Sequence, residues 1–329
     1  MVLSKKKRAV VTGGAGFLGS HLCEELLKRD LHVTCVDNLS SGRFENVSHI
    51  EKLPEFEFVE HDVIDPLPDL KADYVFNLAC PASPGLYQAD PLRTAKTAAF
   101  GTLNALELAR ANGAQYLQAS TSEIYGDPEI HPQVEGYWGN VSSTGPRACY
   151  DEGKRFGEAL CFDFRRVYDL EIKVVRIFNT YGPRMQAEDG RVVSNFIVQA
   201  LQGMPITIYG DGSQTRSFCF VSDLVSAMLA VSDTPSGVLG PFNIGNPEEV
   251  TVLELAKIIQ QEIGLPENLV FKDKAVDDPR RRRPDISKVR AATGWQPEVP
   301  LSQGIAETIA YFRGELARLE VPAITAVAE

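Results

Sequence analysis

The chain has 329 residues, of which 44% are hydrophobic and 23% charged, and a formal net charge of −11. This is the balance of a soluble globular protein with room for one large α/β unit or two domains around a sizeable core. The acidic surplus argues against general binding to nucleic acid or an anionic membrane, and no apolar run approaches the roughly 20 residues that span a bilayer.

Lys5, Lys6, Lys7 and Arg8 open the chain as a solvated lead-in, with no long apolar signal region behind them. Residues 8–12 read as a first strand, followed by the glycines Gly13, Gly16 and Gly19 and a helix over 20–28. Further strands are expected over 32–36, 57–60, 74–78, 116–119 and 172–178, with helices over 97–111 and 150–167. Such alternation implies an α/β fold, a doubly wound, mainly parallel sheet of Rossmann type. Later segments are looser. Helices are expected over 192–202, 221–231, 252–263 and 305–319, and strands over 206–209 and 242–244. They suggest a smaller C-terminal substrate-binding lobe over the sheet's carboxyl edge. Residues 1–181 with about 215–246 form the expected Rossmann domain, about 182–214 with 247–320 the lobe, and 321–329 a loose tail. Six scattered cysteines (Cys23, Cys35, Cys80, Cys149, Cys161, Cys219) show no metal-type or Cys-x-x-Cys spacing and read as reduced cytoplasmic thiols; no metal is expected.

The glycine turn carries the first chemistry. In Gly13-Gly14-Ala15-Gly16-Phe17-Leu18-Gly19, Gly13 allows a tight turn, Gly16 a close backbone approach to a pyrophosphate, and Gly19 close packing of helix on sheet. The following helix N-terminus, at Phe17 and Leu18, offers unpaired N–H groups to the anion. Asp37-Asn38 ends the second strand, where an acid grips a ribose diol; its charge would repel a 2′-phosphate and so favours NAD over NADP. Asp62-Val63 and Leu78-Ala79, at the ends of the third and fourth strands, are further candidates for cofactor contact.

Tyr150 and Lys154 stand four apart, on one face of a helix. A tyrosine of ordinary pKa, about 10, is a poor base at neutral pH, and a nearby cation favours its phenolate. Ser120-Thr121-Ser122-Glu123 follows the fifth strand at the same carboxyl edge.

With these parts in place the chain resembles the extended short-chain dehydrogenase/reductase superfamily over nearly its whole length. Finer stretches resemble its UDP-glucuronate decarboxylase branch: Thr121-Ser122-Glu123-Ile124-Tyr125-Gly126-Asp127-Pro128, Pro81-Ala82-Ser83-Pro84, Gly145-Pro146-Arg147, Asn179-Thr180-Tyr181-Gly182-Pro183-Arg184-Met185 and Asp189-Gly190-Arg191-Val192-Val193-Ser194-Asn195-Phe196. The resemblance implies a role for each match. Tyr150 takes the C4 hydroxyl proton while NAD takes hydride. Lys154 holds the cofactor ribose and lowers the tyrosine pKa, and Thr121 hydrogen-bonds the reacting oxygen. Hexose 4,6-dehydratases carry an acid at the position of Ser122, so loss of water is disfavoured here. Glu123 promotes loss of CO2 by charge repulsion or orients the water that protonates C5.

By the same resemblance Arg282, within Arg280-Arg281-Arg282-Arg283, faces the phosphates or carboxylate of UDP-glucuronate. Arg216 and Asn179 hold the diphosphate. Tyr209 lies near the uracil, with Val193 and Asn195 on one wall, while Pro81 belongs to a substrate loop. Arg191 reaches either nucleotide, and Lys96 and Asn104 lie near cofactor and sugar. Ala98 replaces a usual asparagine. The family pairs through helices that include the Tyr150 helix, which implies a homodimer. Two other readings stand beside the decarboxylase: a sister enzyme on a UDP-uronate (a 4-epimerase or a UDP-apiose-forming enzyme) and a non-catalytic NAD-binding scaffold.

Overall fold

The computed structural model describes residues 6–273 and 281–320, so Arg280 and the expected loose tail 321–329 lie outside the described residues. The central sheet has seven strands: β1 (Arg8–Thr12), β2 (His32–Asp37), β3 (Phe56–Glu60), β4 (Tyr74–Asn77), β5 (Gln115–Thr121), β6 (Ile172–Ile177) and an edge strand, Phe242–Ile244. Their order is Phe242–Ile244, β6, β5, β4, β1, β2, β3, and every pairing is parallel. Ala9, Val10, Val11, Ile172, Val174 and Val175 are fully buried, as expected of strands covered on both faces. The order reverses between β1 and β4, and a crevice therefore opens above the carboxyl ends at that point.

The helices are α1 (Phe17–Lys28), α2 (Pro84–Ala89), α3 (Pro91–Lys96), α4 (Thr102–Asn112), α5 (Ala148–Tyr168), α6 (Val192–Leu201), α7 (Val221–Ser232), α8 (Val252–Ile263), α9 (Ser287–Thr293) and α10 (Leu301–Glu320). One apolar cluster joins α1 and α7 to the lobe, and a second packs α4 and α5 on the other face. Outside the central sheet, Thr215–Ser217 lies between Glu249–Thr251 and Arg281–Arg282, and Ile206–Tyr209 pairs with Leu269–Lys272. Among the described residues no helix is long and apolar enough to cross a membrane.

Three differences from the sequence reading have physical causes. α1 begins at Phe17 because Gly16 is still extended, at φ −75° and ψ 179°, and ends the glycine turn. The helix expected over 97–111 is instead α3, a π-type turn over Thr97–Gly101, and α4. At that turn α5 comes very close: a Cβ placed on Gly153 would lie 2.7 Å from the Cβ of Ala98. α2 and α9 are short elements with too few residues to show a period.

α5 is tied to the sheet by a buried ion pair. Arg176 on β6 donates from Nε and Nη2 to the two oxygens of Glu158 at 2.9 and 2.7 Å, and Ser120 on β5 donates to Glu158 at 2.5 Å. Arg176 Nη1 also reaches the Tyr125 hydroxyl and the Glu135 carbonyl, each at 2.9 Å. Arg176→Met leaves Glu158 buried without its cation and is expected to lower the unfolding free energy by about 3–5 kcal/mol. Urea denaturation reads this directly; a loss under about 1 kcal/mol would show that the pair does not hold the helix.

Candidate active site

The crevice is a cavity of about 720 Å³. Gly13, at φ +70°, sits so close to the chain after β4 that a Cβ there would lie 2.8 Å from the Ala79 nitrogen. A Cβ on Gly19 would lie 2.1 Å from the Gly13 carbonyl oxygen, which presses the turn against the start of α1. That helix has no side-chain cap and no acid in its first turn, and Gly16, Phe17 and Leu18 line the cavity. Uncapped N–H groups facing a cavity suit a pyrophosphate, so the residues present fit a dinucleotide.

Asp37 ends β2, buried, and lines the cavity beside Asn38. Its oxygens accept from Ala15 N at 3.0 Å and Leu39 N at 2.8 Å. Burial raises its pKa, and these backbone donors, with Asn38, oppose the rise. Val63, Leu78 and Ala79 continue this wall. Asp62 and Lys96 do not: Asp62 spends its carboxylate on Arg93 and on Ile64 N, and it is Arg93 that reaches the cavity. Asn104 also stands behind the wall, donating to the Val63 and Ile64 carbonyls at 2.9 and 3.1 Å, where it braces the turn that carries Val63.

The candidate reaction centre lies where β5 meets α5. Thr121 ends β5, and its hydroxyl accepts from Glu123 N at 3.2 Å. Tyr150 is buried and stacks on Tyr87, with ring centroids 5.0 Å apart and planes 2° from parallel. Lys154 donates to the Ala119 carbonyl at 2.9 Å and lies 5.8 Å from the Tyr150 ring centroid. The expected lowering of the phenol pKa is not the state of the free site. Burial pushes Tyr150 well above its ordinary value, Cys80 and Glu123 add to the rise, and Thr121 and Arg191 oppose it. The lysine's direct bond is to the strand, which anchors the helix.

Glu123 is partly buried, its side chain 12% exposed, between two arginines. Arg147 Nη2 donates to it at 2.5 Å, Arg282 Nη1 at 3.5 Å, and the Tyr87 hydroxyl at 3.5 Å. Burial opposes its ionisation, but Arg282 and Arg147 outweigh that and hold its pKa below the usual carboxylate range. Pro81, Asn179, Arg191, Val193, Asn195, Tyr209 and Arg216 line the rest of the cavity. Arg216 also donates to the Thr215 carbonyl at 2.8 Å. The described part of the arginine run divides: Arg281 is exposed, Arg282 is buried against Glu123, and Arg283 lies 3.6 Å from Glu249. The pleat of the strand alternates their directions.

Arg147 and Tyr87 hold Glu123, and Arg184 lines the cavity, yet none was a candidate in the sequence. Only the first had a local signal, its spacing of four from Asp151 at the start of α5.

Residues 9–245 match the model of the NAD dependent epimerase/dehydratase family. The chain is 51% identical over 311 residues to UDP-glucuronic acid decarboxylase 1 of Xenopus tropicalis, covering 94% of this chain and 73% of that relative. It is 52% identical over 309 residues to UDP-glucuronic acid decarboxylase 2 of Arabidopsis thaliana, covering 94% and 69%. Its fold superimposes with a TM-score of 0.85 and 27% identity on the UDP-glucuronic acid 4-epimerase from Bacillus cereus solved with UDP-glucuronic acid and NAD, covering 94% of this chain and 99% of that one.

The buried phenol makes a direct prediction. Ultraviolet difference titration of the free protein against Tyr150→Phe should show no ionisation of Tyr150 below about pH 10. An inflection near neutrality would mean that Lys154 alone activates it.

Proposed function

The chain belongs to the NAD dependent epimerase/dehydratase family and, within it, to the UDP-glucuronic acid decarboxylases, and on that premise we propose that it converts UDP-glucuronate to UDP-xylose with loss of CO2. The observation that carries the reading is Glu123, held ionised between Arg147 and Arg282 beside Thr121 and Tyr150, with Ser122 in place of an acid.

NAD+, when bound, would supply the hydride acceptor for oxidation at C4, the hydride source for its later reduction, and positive charge beside the phenol. Gly13, Gly16, Phe17, Leu18 and Gly19 hold its pyrophosphate, Asp37 and Asn38 its ribose, and Lys154 the ribose next to the reacting ring. Tyr150 takes the C4 hydroxyl proton, and Thr121 orients that oxygen. The ketone formed at C4 is β to the C5 carboxylate, so the C–C bond breaks with its electron pair delocalised onto the ketone oxygen. Arg147 and Arg282 place the carboxylate, and Glu123 orients the water that protonates C5. Nothing in this set can expel a C6 hydroxyl, because Ser122 is no acid. Arg216 and Asn179 hold the diphosphate, Tyr209, Val193 and Asn195 border the uracil, and Pro81 and Arg191 complete the wall.

We further propose a cytoplasmic homodimer. Six free thiols fit a reducing compartment. Phe156 on α5 and Phe100 in the π-type turn are each 51% exposed, and Leu92 on α3 is 75% exposed, an apolar surface that pairing of these helices would cover.

Incubation with UDP-glucuronate and NAD+ should release CO2 and yield UDP-xylose. A product formed without CO2 would instead favour an epimerase, and no turnover a scaffold. Tyr150→Phe should lower turnover at least about a hundredfold while NAD+ still binds. Sedimentation should give a dimer that Phe156→Glu converts to monomer; a wild-type monomer would dismiss the pairing.

A further inference from the structure

Asp151 follows Tyr150 on α5 and is 6% exposed, yet none of the steps above uses it. Its Oδ2 lies 3.9 Å from Arg147 Nε, while its Oδ1 is buried with no hydrogen-bond donor to satisfy it. Glu123 faces it from the turn Ser122–Tyr125, Arg147 from the foot of its own helix, Tyr87 from α2, Arg282 from the lobe strand, and Cys149 from the same helix.

Two guanidinium groups and two carboxyls thus form one largely buried cluster, linked through Arg147. With both carboxyls ionised, the group is neutral and has nothing to offer an anionic sugar. A buried and a partly buried carboxylate in one cluster do not both ionise cheaply, so one of them keeps a proton. Glu123 has arginines at 2.5 and 3.5 Å, whereas Asp151 has one at 3.9 Å, and the proton therefore stays on Asp151. A proton on Asp151 lets its carboxyl donate to Glu123, a hydrogen bond that two carboxylates cannot make.

We propose that Asp151 is a positioning residue that works as the protonated acid: it hydrogen-bonds Glu123, holds it between Arg147 and Arg282, and leaves the cluster one net positive charge for the carboxylate of an incoming uronate. The uronate rests on the decarboxylase reading above; the proton does not. Burial and the charge of Glu123 carry the Asp151 pKa up to about 8, against the pull of Arg147. A raised pKa means that the proton is present at neutral pH and lost as pH climbs through that value, when the cluster becomes neutral and uronate binding weakens.

The test uses the full chain. Carbon NMR titration of the aspartate carboxyls, wild type against Asp151→Asn, should show that the missing signal titrates near pH 8; titration in the ordinary range, near pH 4, overturns the proposal. In initial-rate assays the KM for UDP-glucuronate should rise up to about tenfold per pH unit above pH 8 in the wild type and stay flat in Asp151→Asn. At neutral pH Asp151→Ala should raise KM several-fold, and the neutral amide of Asp151→Asn should recover most of that loss. An alkaline rise that persists in Asp151→Asn, or an amide no better than alanine, overturns the proposal. Absence of CO2 release would sink the decarboxylase reading and leave the carboxyl titration decisive for Asp151.

Discussion

The geometry of the cleft around Tyr150 and Glu123 depends on one buried ion pair, Arg176 with Glu158. It joins β6 to α5 and, through Ser120, to β5, the strand that ends in Thr121. Tyr150 and Lys154 lie on the same helix as Glu158, about two turns and one turn before it. Fixing Glu158 to the sheet therefore sets how deep the phenol sits and lets Lys154 meet the Ala119 carbonyl. Arg176 also holds the Tyr125 hydroxyl, so the turn that carries Glu123 is fastened from behind by the same guanidinium. The carboxylate and phenol are supplied by different elements, but one anchor locates both.

Charge in this protein is segregated. The whole chain is acidic at −11, yet Arg93, Arg147, Arg184, Arg191, Arg216 and Arg282 all line one cavity. A guanidinium taken out of water needs a partner, and several have one: Glu123 for Arg147 and Arg282, Glu24 for Arg184, and Asp189 for Arg191. Of these acids Glu123 and Asp189 line the cavity themselves, whereas Glu24 holds Arg184 from behind it. Clustered cations on an acidic body focus field lines into the cleft and draw an anionic nucleotide sugar toward it.

Features set by local backbone chemistry were legible in the sequence. The glycine turn, Asp37 at the end of β2, and Tyr150 four residues before Lys154 follow from steric rules and helical spacing, and all of them line the cavity. Features set by distant partners were not. The run at Arg281–Arg283 looks uniform on paper, and only Glu123, far back in the chain, separates Arg282 from its neighbours. Asp62 and Asn104 seemed free to meet a ligand, but Arg93 and the Val63 carbonyl had already claimed them. The π-type turn was hidden as well: it lies where α5 crosses at Ala98 and Gly153, and no residue within the turn announces it.

That crossing, Ala98 against Gly153, has a thermal consequence. Neither residue has side-chain rotamers, so closing the contact forfeits no side-chain entropy. A joint between long side chains would loosen on warming as alternative rotamers became populated. At this crossing the separation is set by the backbone and one methyl group, and α5 should keep its distance from the π-type turn there across the whole range in which the protein is folded.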